Sequence, residues 1–160
     1  MDGNTDVDLL TLTVYAQPRP QGSHKPLLIQ GKCRCVEQND ATHRAWRKEV
    51  RRAAALAIQE PGGNPLAPTL REGFPYLGAV SLMVAFTLPR PGTSRYTLPI
   101  AKNLGDLSKF VRALEDGFTD AGVWKDDSQV VRLHASKAWT NGEQAMAYPG
   151  ASVVVRSVDG

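Results

Sequence analysis

The most regular alternation of apolar and polar positions lies between Gly105 and Val131. Leu107, Phe110, Val111, Leu114 and Phe118 recur at i, i+3, i+4, i+7 and i+11, which predicts an amphipathic helix with one buried stripe. Gly122 is the candidate left-handed residue that ends this helix, and Gly117 is expected to loosen its last turns. Trp124 should pack at the following turn, so that Asp126 and Asp127 emerge just before a strand reading from Ser128 to Trp139. Asp106 takes the N-cap position, where a carboxylate ordinarily accepts hydrogen bonds from free first-turn amides. The unit therefore carries acids at both ends.

The rest of the chain supplies strands and one more helix. Leu9 to Gln17 (LLTLTVYAQ) reads as a strand ended by Pro18 and Pro20, and Pro26 to Val36 as a weak strand or hairpin with Gly31 at its turn. Asn39 or Asp40 can cap a helix running to about Gln59, whose inner face carries Trp46, Val50, Ala53, Ala54 and Ala57. Pro61 to Gly78 is rich in proline and glycine and reads as a connector. Ala79 to Leu88 (AVSLMVAFTL) is apolar enough on both faces for a central strand. A loop from Arg90 to Lys102 follows, and Ala151 to Val158 reads as a last strand. Together these elements predict an α+β fold: a small single domain, with a mixed β-sheet packed by two main helices.

Composition narrows the picture. With 160 residues and 42% hydrophobic content, the chain can bury one ordinary core but not two comfortable ones, so a single domain from Leu9 to Val158 is expected behind a loose acidic tail, Met1 to Asp8. No run approaches a membrane span, and the N-terminus lacks the basic and apolar parts of a signal peptide, so a cytoplasmic protein is expected. Cys33 and Cys35 stand one residue apart, a spacing that suits neither a zinc knuckle nor a disulfide framework, and read as reduced bystanders.

A net charge of +3 does not identify a nucleic-acid binder, but its distribution does change the reading. Arg44, Arg47, Lys48, Arg51 and Arg52 recur at spacings of three and four on one helix face, either as a solvated surface or as a phosphate-contacting one. Arg90, Arg95 and Lys102, interleaved with Tyr96, suit distorted or single-stranded nucleic acid and equally suit a tolerant surface loop. On the second helix Lys109, Arg112 and Asp116 point away from the apolar stripe, with Arg112 and Asp116 spaced to pair. Adjacent carboxylates at Asp126 and Asp127 form either a solvated turn or a site neutralised by a cation. Hard oxygen donors without histidine or cysteine favour Mg²⁺ or Mn²⁺ over zinc, and that chemistry beside a basic surface is typically phosphodiester hydrolysis.

The stretch GDLSKFVRALEDGFTDAGVWKDDSQVV resembles the RusA-type Holliday junction resolvases, common in bacteriophages and prophages. That family shows a PDLD helix start, then a DALT segment and an AGxWxDDAQV turn. The early PRPQGS loop, the WRKEV helix and the FTLPRP strand end are similar as well, so the likeness runs in order through most of the chain. The resemblance implies a small α/β dimer that binds branched DNA and makes paired nicks in four-way junctions with Mg²⁺. It implies Asp106 and Asp127 as catalytic and metal-binding, Asp126 as a further ligand, and Arg112 in place of an essential lysine. It leaves Arg44, Arg47, Lys48, Arg51, Arg90, Arg95, Lys102 and Lys109 as the DNA-binding set. One position departs: Ser108 stands where the family has the second aspartate of its DxD, which removes a full negative charge from the implied metal site. A junction-binding protein weakened in catalysis is the alternative reading.

Overall fold

The computed structural model describes residues 6–22, 24–30, 32–37 and 41–158. In chain order these form β1 (Asp8–Val14), β2 (His24–Ile29), β3 (Lys32–Glu37), α1 (Ala41–Ala57), β4 (Val80–Leu88), α2 (Leu107–Ala121), β5 (Val130–Trp139) and β6 (Gly150–Ser157). The main sheet has the order β1-β6-β4-β5, with β4 and β5 parallel and the other neighbours antiparallel. Strands β2 and β3 pair separately as an antiparallel hairpin. The result is the expected small single-domain α+β fold with a mixed four-stranded sheet and two helices.

Two neighbouring parallel strands require a crossover, and α2 supplies it between β4 and β5. The periodicity predicted the strand, helix and strand in this order but not their parallel pairing, which fixes the direction of α2 against β5. Alternation does the rest: Leu82, Val84 and Phe86 of β4 and Val153 and Val155 of β6 turn inward. They meet Trp46 and Val50 of α1 and Phe110, Leu114 and Phe118 of α2, all buried, with the Phe86 and Phe110 rings 5.5 Å apart. Strand β4 is interior, as expected, but Ser81, Met83 and Ala85 on its outer face are only half-buried.

Two local expectations change and one holds. Gly117 is buried at the α1–α2 crossing, where an added Cβ would stand 2.6 Å from Val50 Cγ1, so it permits close helix packing rather than loosening the helix. Gly122 behaves as predicted, with φ 83° and its amide bonded back to the last turn. The N-terminal segment is tied further out than expected: β1 starts at Asp8, Val7 exchanges hydrogen bonds with Ser157, and Asp6 pairs with Arg132 at 3.1 Å. Met1 to Thr5, the Gly31 turn and the Asn39 and Asp40 caps lie outside the described residues.

The loop after β1 is pinned to the start of α2. The Gln21 amide donates to the Lys109 carbonyl at 3.1 Å, and Pro20 sits against Gly105. Gly105 has φ 90°, and a Cβ there would stand 2.6 Å from Pro20 Cγ, so both backbone conformation and space demand glycine. This contact sets the position of Asp106.

Candidate active site

Asp106 occupies the backbone position of an N-cap but makes no side-chain cap hydrogen bond. Its side chain is 75% exposed, with Lys109 Nζ 3.9 Å away. The ordinary structural use of an N-cap aspartate is therefore not made, and the carboxylate faces solvent at the helix mouth. Ser108 is exposed on the same turn. Lys137, whose importance the sequence did not reveal, reaches from β5 to donate to the Gly105 carbonyl at 3.0 Å. From Leu133 onward the odd positions of β5 pair with the inward-facing residues of β4, which puts Lys137 on the helix side, near the start of α2.

The other end is built differently. Trp124 is buried, its Nε1 donates to Thr119 Oγ1 at 2.9 Å, and its ring packs on Phe118 at 5.4 Å. Beyond it, Asp126 caps a short 3-10 turn, Asp127–Gln129, by accepting from the Ser128 amide at 2.9 Å. This hydrogen bonding to Ser128 holds the Asp126 carboxyl below the usual carboxylate range. Gln129 locks the turn: its Oε1 accepts from the amides of Lys125 and Asp126, and its Nε2 donates to the carbonyls of Tyr76 and Gly78. The adjacent aspartates thus divide their roles. Asp126 serves its own turn, whereas the Asp127 side chain is exposed and, among the described residues, makes no hydrogen bond or ion pair, its carbonyl alone accepting from the Val130 amide.

Asp127 is felt on the facing side of α2. Glu115, which sequence reasoning passed over, is half-buried and its carboxyl is pushed up to about 7, first by burial, then by the charges of Asp127 and Asp116, against the opposing pull of Arg112. Asp116 is also raised, chiefly by burial, with Arg47 and Arg112 pulling it down and Asp120 and Asp127 pushing it up. Glu115 borders the apolar stripe next to Leu114, and that place in the pattern was the available signal. The expected pairing of Arg112 with Asp116 is replaced: Asp116 accepts from Gln21 Nε2 at 3.1 Å and lies 4.0 Å from Arg47. Arg112 is exposed and acts on both acids through its charge.

The basic positions divide in the same way. Arg47 is bound to Asp120 at 2.8 Å and ties α1 to α2, so it is largely spent on the fold. Arg44, Lys48 and Arg51 are exposed on α1, while Arg52 pairs with Glu49 at 3.0 Å. In the loop after β4, Arg90 donates to the Tyr96 carbonyl at 3.3 Å, and Arg95 and Lys102 are exposed.

Asp106 and the acids that feel Asp127 stand at different levels of α2. Nine residues of helix, about 14 Å along the axis, separate Asp106 from Glu115, the residue Asp127 faces. Among the described residues, no three His, Cys, Asp or Glu side chains stand together as an ion site. The donors are hard carboxylates that suit Mg²⁺ in kind, and they are spread along α2 rather than gathered in one group of three.

No curated protein matches the chain by direct sequence comparison. The family model described as Endodeoxyribonuclease RusA matches residues 13–145, a span that includes both ends of α2, the loop after β1 and the basic loop after β4. With the helix mouth and the aspartate turn both inside that match, the chain belongs to the RusA endodeoxyribonuclease family, the family of Holliday junction resolvases.

Proposed function

We propose that this protein is a divalent-metal-dependent endonuclease that resolves four-way DNA junctions by paired nicking, and that it works as a homodimer in the cytoplasm. The family match over both ends of α2 carries the reading. One feature supports it: Asp106 and Asp127 are exposed carboxylates that do not cap their own turns, Asp106 having only the Lys109 ammonium 3.9 Å away. A second copy that sets its Asp106 beside this chain's Asp127 would complete an oxygen site, with Asp126 at its edge. A bound Mg²⁺ or Mn²⁺ would supply activation of water and neutralisation of charge on the departing oxygen.

The chain's own side chains do the remaining work. Arg112 would stabilise charge that develops on the phosphate. Arg44, Lys48 and Arg51 on α1, with Arg90, Arg95, Lys102 and Lys109, would hold the DNA arms through their phosphates. Arg47 contributes chiefly by holding α1 against α2.

Ser108 favours a second reading, a junction-binding protein weakened in catalysis, because its hydroxyl stands exposed where an additional carboxylate would strengthen the site. Incubation with a labelled four-way junction and a matched linear duplex, with and without Mg²⁺, separates the two. Junction-selective cutting that requires Mg²⁺ or Mn²⁺ supports the nuclease. Tight, salt-sensitive junction binding without cutting at any metal concentration supports the weakened binder.

A further inference from the structure

Beside the Asp106 end lies a hollow that the proposed chemistry does not use. Its volume is about 420 Å³, within the usual size of a small-ligand pocket, and its walls include Pro91, Arg95, Tyr96, Asn103, Leu104 and Trp139. We propose that it receives one unpaired nucleobase of the branched DNA, next to the strand to be cut; this rests on the nuclease reading above.

Three observations point to that occupant. Tyr96, at 49% exposure, offers an aromatic ring at the wall beside the buried Trp139, and every base has a π-face to stack on such a ring. The Asn103 amide supplies both a donor and an acceptor for a base edge. The cationic rim suits the attached phosphate: Arg95 and Lys102 are exposed, and among the described residues neither has an ion-pair partner.

The hollow is also held open by fixed backbone rather than by a chance gap. Trp139 Nε1 donates to the Tyr96 carbonyl at 3.0 Å, and Arg90 donates to the same oxygen at 3.3 Å. The Ser94 amide closes on the Pro91 carbonyl at 3.0 Å, and the Tyr96 amide reaches Ser94 Oγ at 3.4 Å. These bonds engage the Tyr96 backbone and leave its ring uncommitted. Asn103 and Leu104 belong to the short turn Lys102–Leu104 that leads through Gly105 into Asp106, so a base held here places its own phosphodiester within a few residues of the implied ligand. A second hollow of about 320 Å³ adjoins through Pro91, Asn103 and Leu104 and carries Arg19 on its far wall, which gives the strand a path onward.

The test crosses protein variants with DNA lesions. Binding of Tyr96→Ala, Tyr96→Phe and Asn103→Ala proteins is measured on four-way junctions that carry an abasic site at each crossover-flanking nucleotide in turn, on the intact junction and on linear duplex. The proposal predicts that Tyr96→Ala weakens binding to the intact junction about tenfold and that Tyr96→Phe restores most of it. It predicts that one abasic position removes the difference between wild type and Tyr96→Ala, while duplex binding stays within twofold throughout. An equal loss on every DNA, or no abasic position that cancels the Tyr96→Ala effect, overturns the pocket while junction binding and cutting by the wild type keep the nuclease reading. Absence of any junction binding by the wild type overturns both.

Discussion

The two ends of α2 carry the same residue type in opposite surroundings. At its start, Asp106 stands in solvent beside Lys109, with Lys137 bonded to the preceding carbonyl and Ser108 where another carboxylate could stand. Past its other end, Asp127 faces Glu115 and Asp116 across a turn that Asp126 and Gln129 brace. One end surrounds its carboxylate with cations, and the other crowds it with acids that burial has already pushed toward protonation. A divalent cation would relieve the second environment far more than the first. The difference teaches that the two aspartates stand in unlike surroundings, and in the proposed site Asp127 would be the acid-crowded half to which Asp106 of a second copy is brought.

The asymmetry can be attacked directly. Asp127→Asn removes the charge from the acid-crowded end, and junction cleavage in Mg²⁺ should fall about a hundredfold or more, since a metal supplies several kcal/mol of transition-state stabilisation. Thermal stability should hold or rise, because Glu115 and Asp116 lose a repelling neighbour. Ser108→Asp restores a carboxylate at the other end and should lower the Mg²⁺ concentration for half-maximal cutting about tenfold. A cutting rate unchanged by Ser108→Asp at limiting Mg²⁺ would show that this end takes no part in holding the ion.

Smaller effects separate scaffold from site. Asp126→Ala loses the cap of the aspartate turn and should lower Tm by about 2–3 °C, with cleavage changed less than threefold. If cleavage instead collapsed with Tm intact, Asp126 would be the ligand and Asp127 the bystander. Glu115→Gln tests the acid crowding alone. Its carboxyl is raised in the fold from 4.5 to about 7, so the folded state holds its proton more tightly than the unfolded chain. That contribution is complete below pH 4.5 and is lost as pH rises through about 7. In metal-free buffer the wild type should therefore lose stability over this range, and Glu115→Gln should lose about 1–2 °C less, the exposed half of the side chain limiting the size.

Much of this was legible in the residues. The stripe from Leu107 to Phe118, the left-handed Gly122 and the buried Trp124 depend on local periodicity and turn chemistry, and all three appear as read. What could not be read depends on distant partners. Arg47 looks like any other cation on its helix face until α2 brings Asp120 against it. Which of Asp126 and Asp127 caps the turn depends on which of them the Ser128 amide reaches, and Gly117 reads as a weak helix position until Val50 is found against it. Arg112 and Asp116 had the spacing to pair, yet Gln21 arrives from a loop 95 residues earlier and takes the carboxylate. Two acids that lie 21 positions apart give no hint in the sequence of which stretch of α2 each will stand against.

The proposed division of the site between two copies is open to a decisive measurement. Asp106→Asn and Asp127→Asn proteins, each inactive alone, are mixed, allowed to exchange subunits, and assayed for nicking of a labelled four-way junction in Mg²⁺. A mixed dimer carries one site with both aspartates lost and one with both intact, provided each site draws Asp106 from one copy and Asp127 from the other. Nicking of a single strand should then return, to about half of the wild-type rate per mixed dimer. If subunits exchange and no nicking returns, the two aspartates act within one chain, and the division of the site between two copies is wrong.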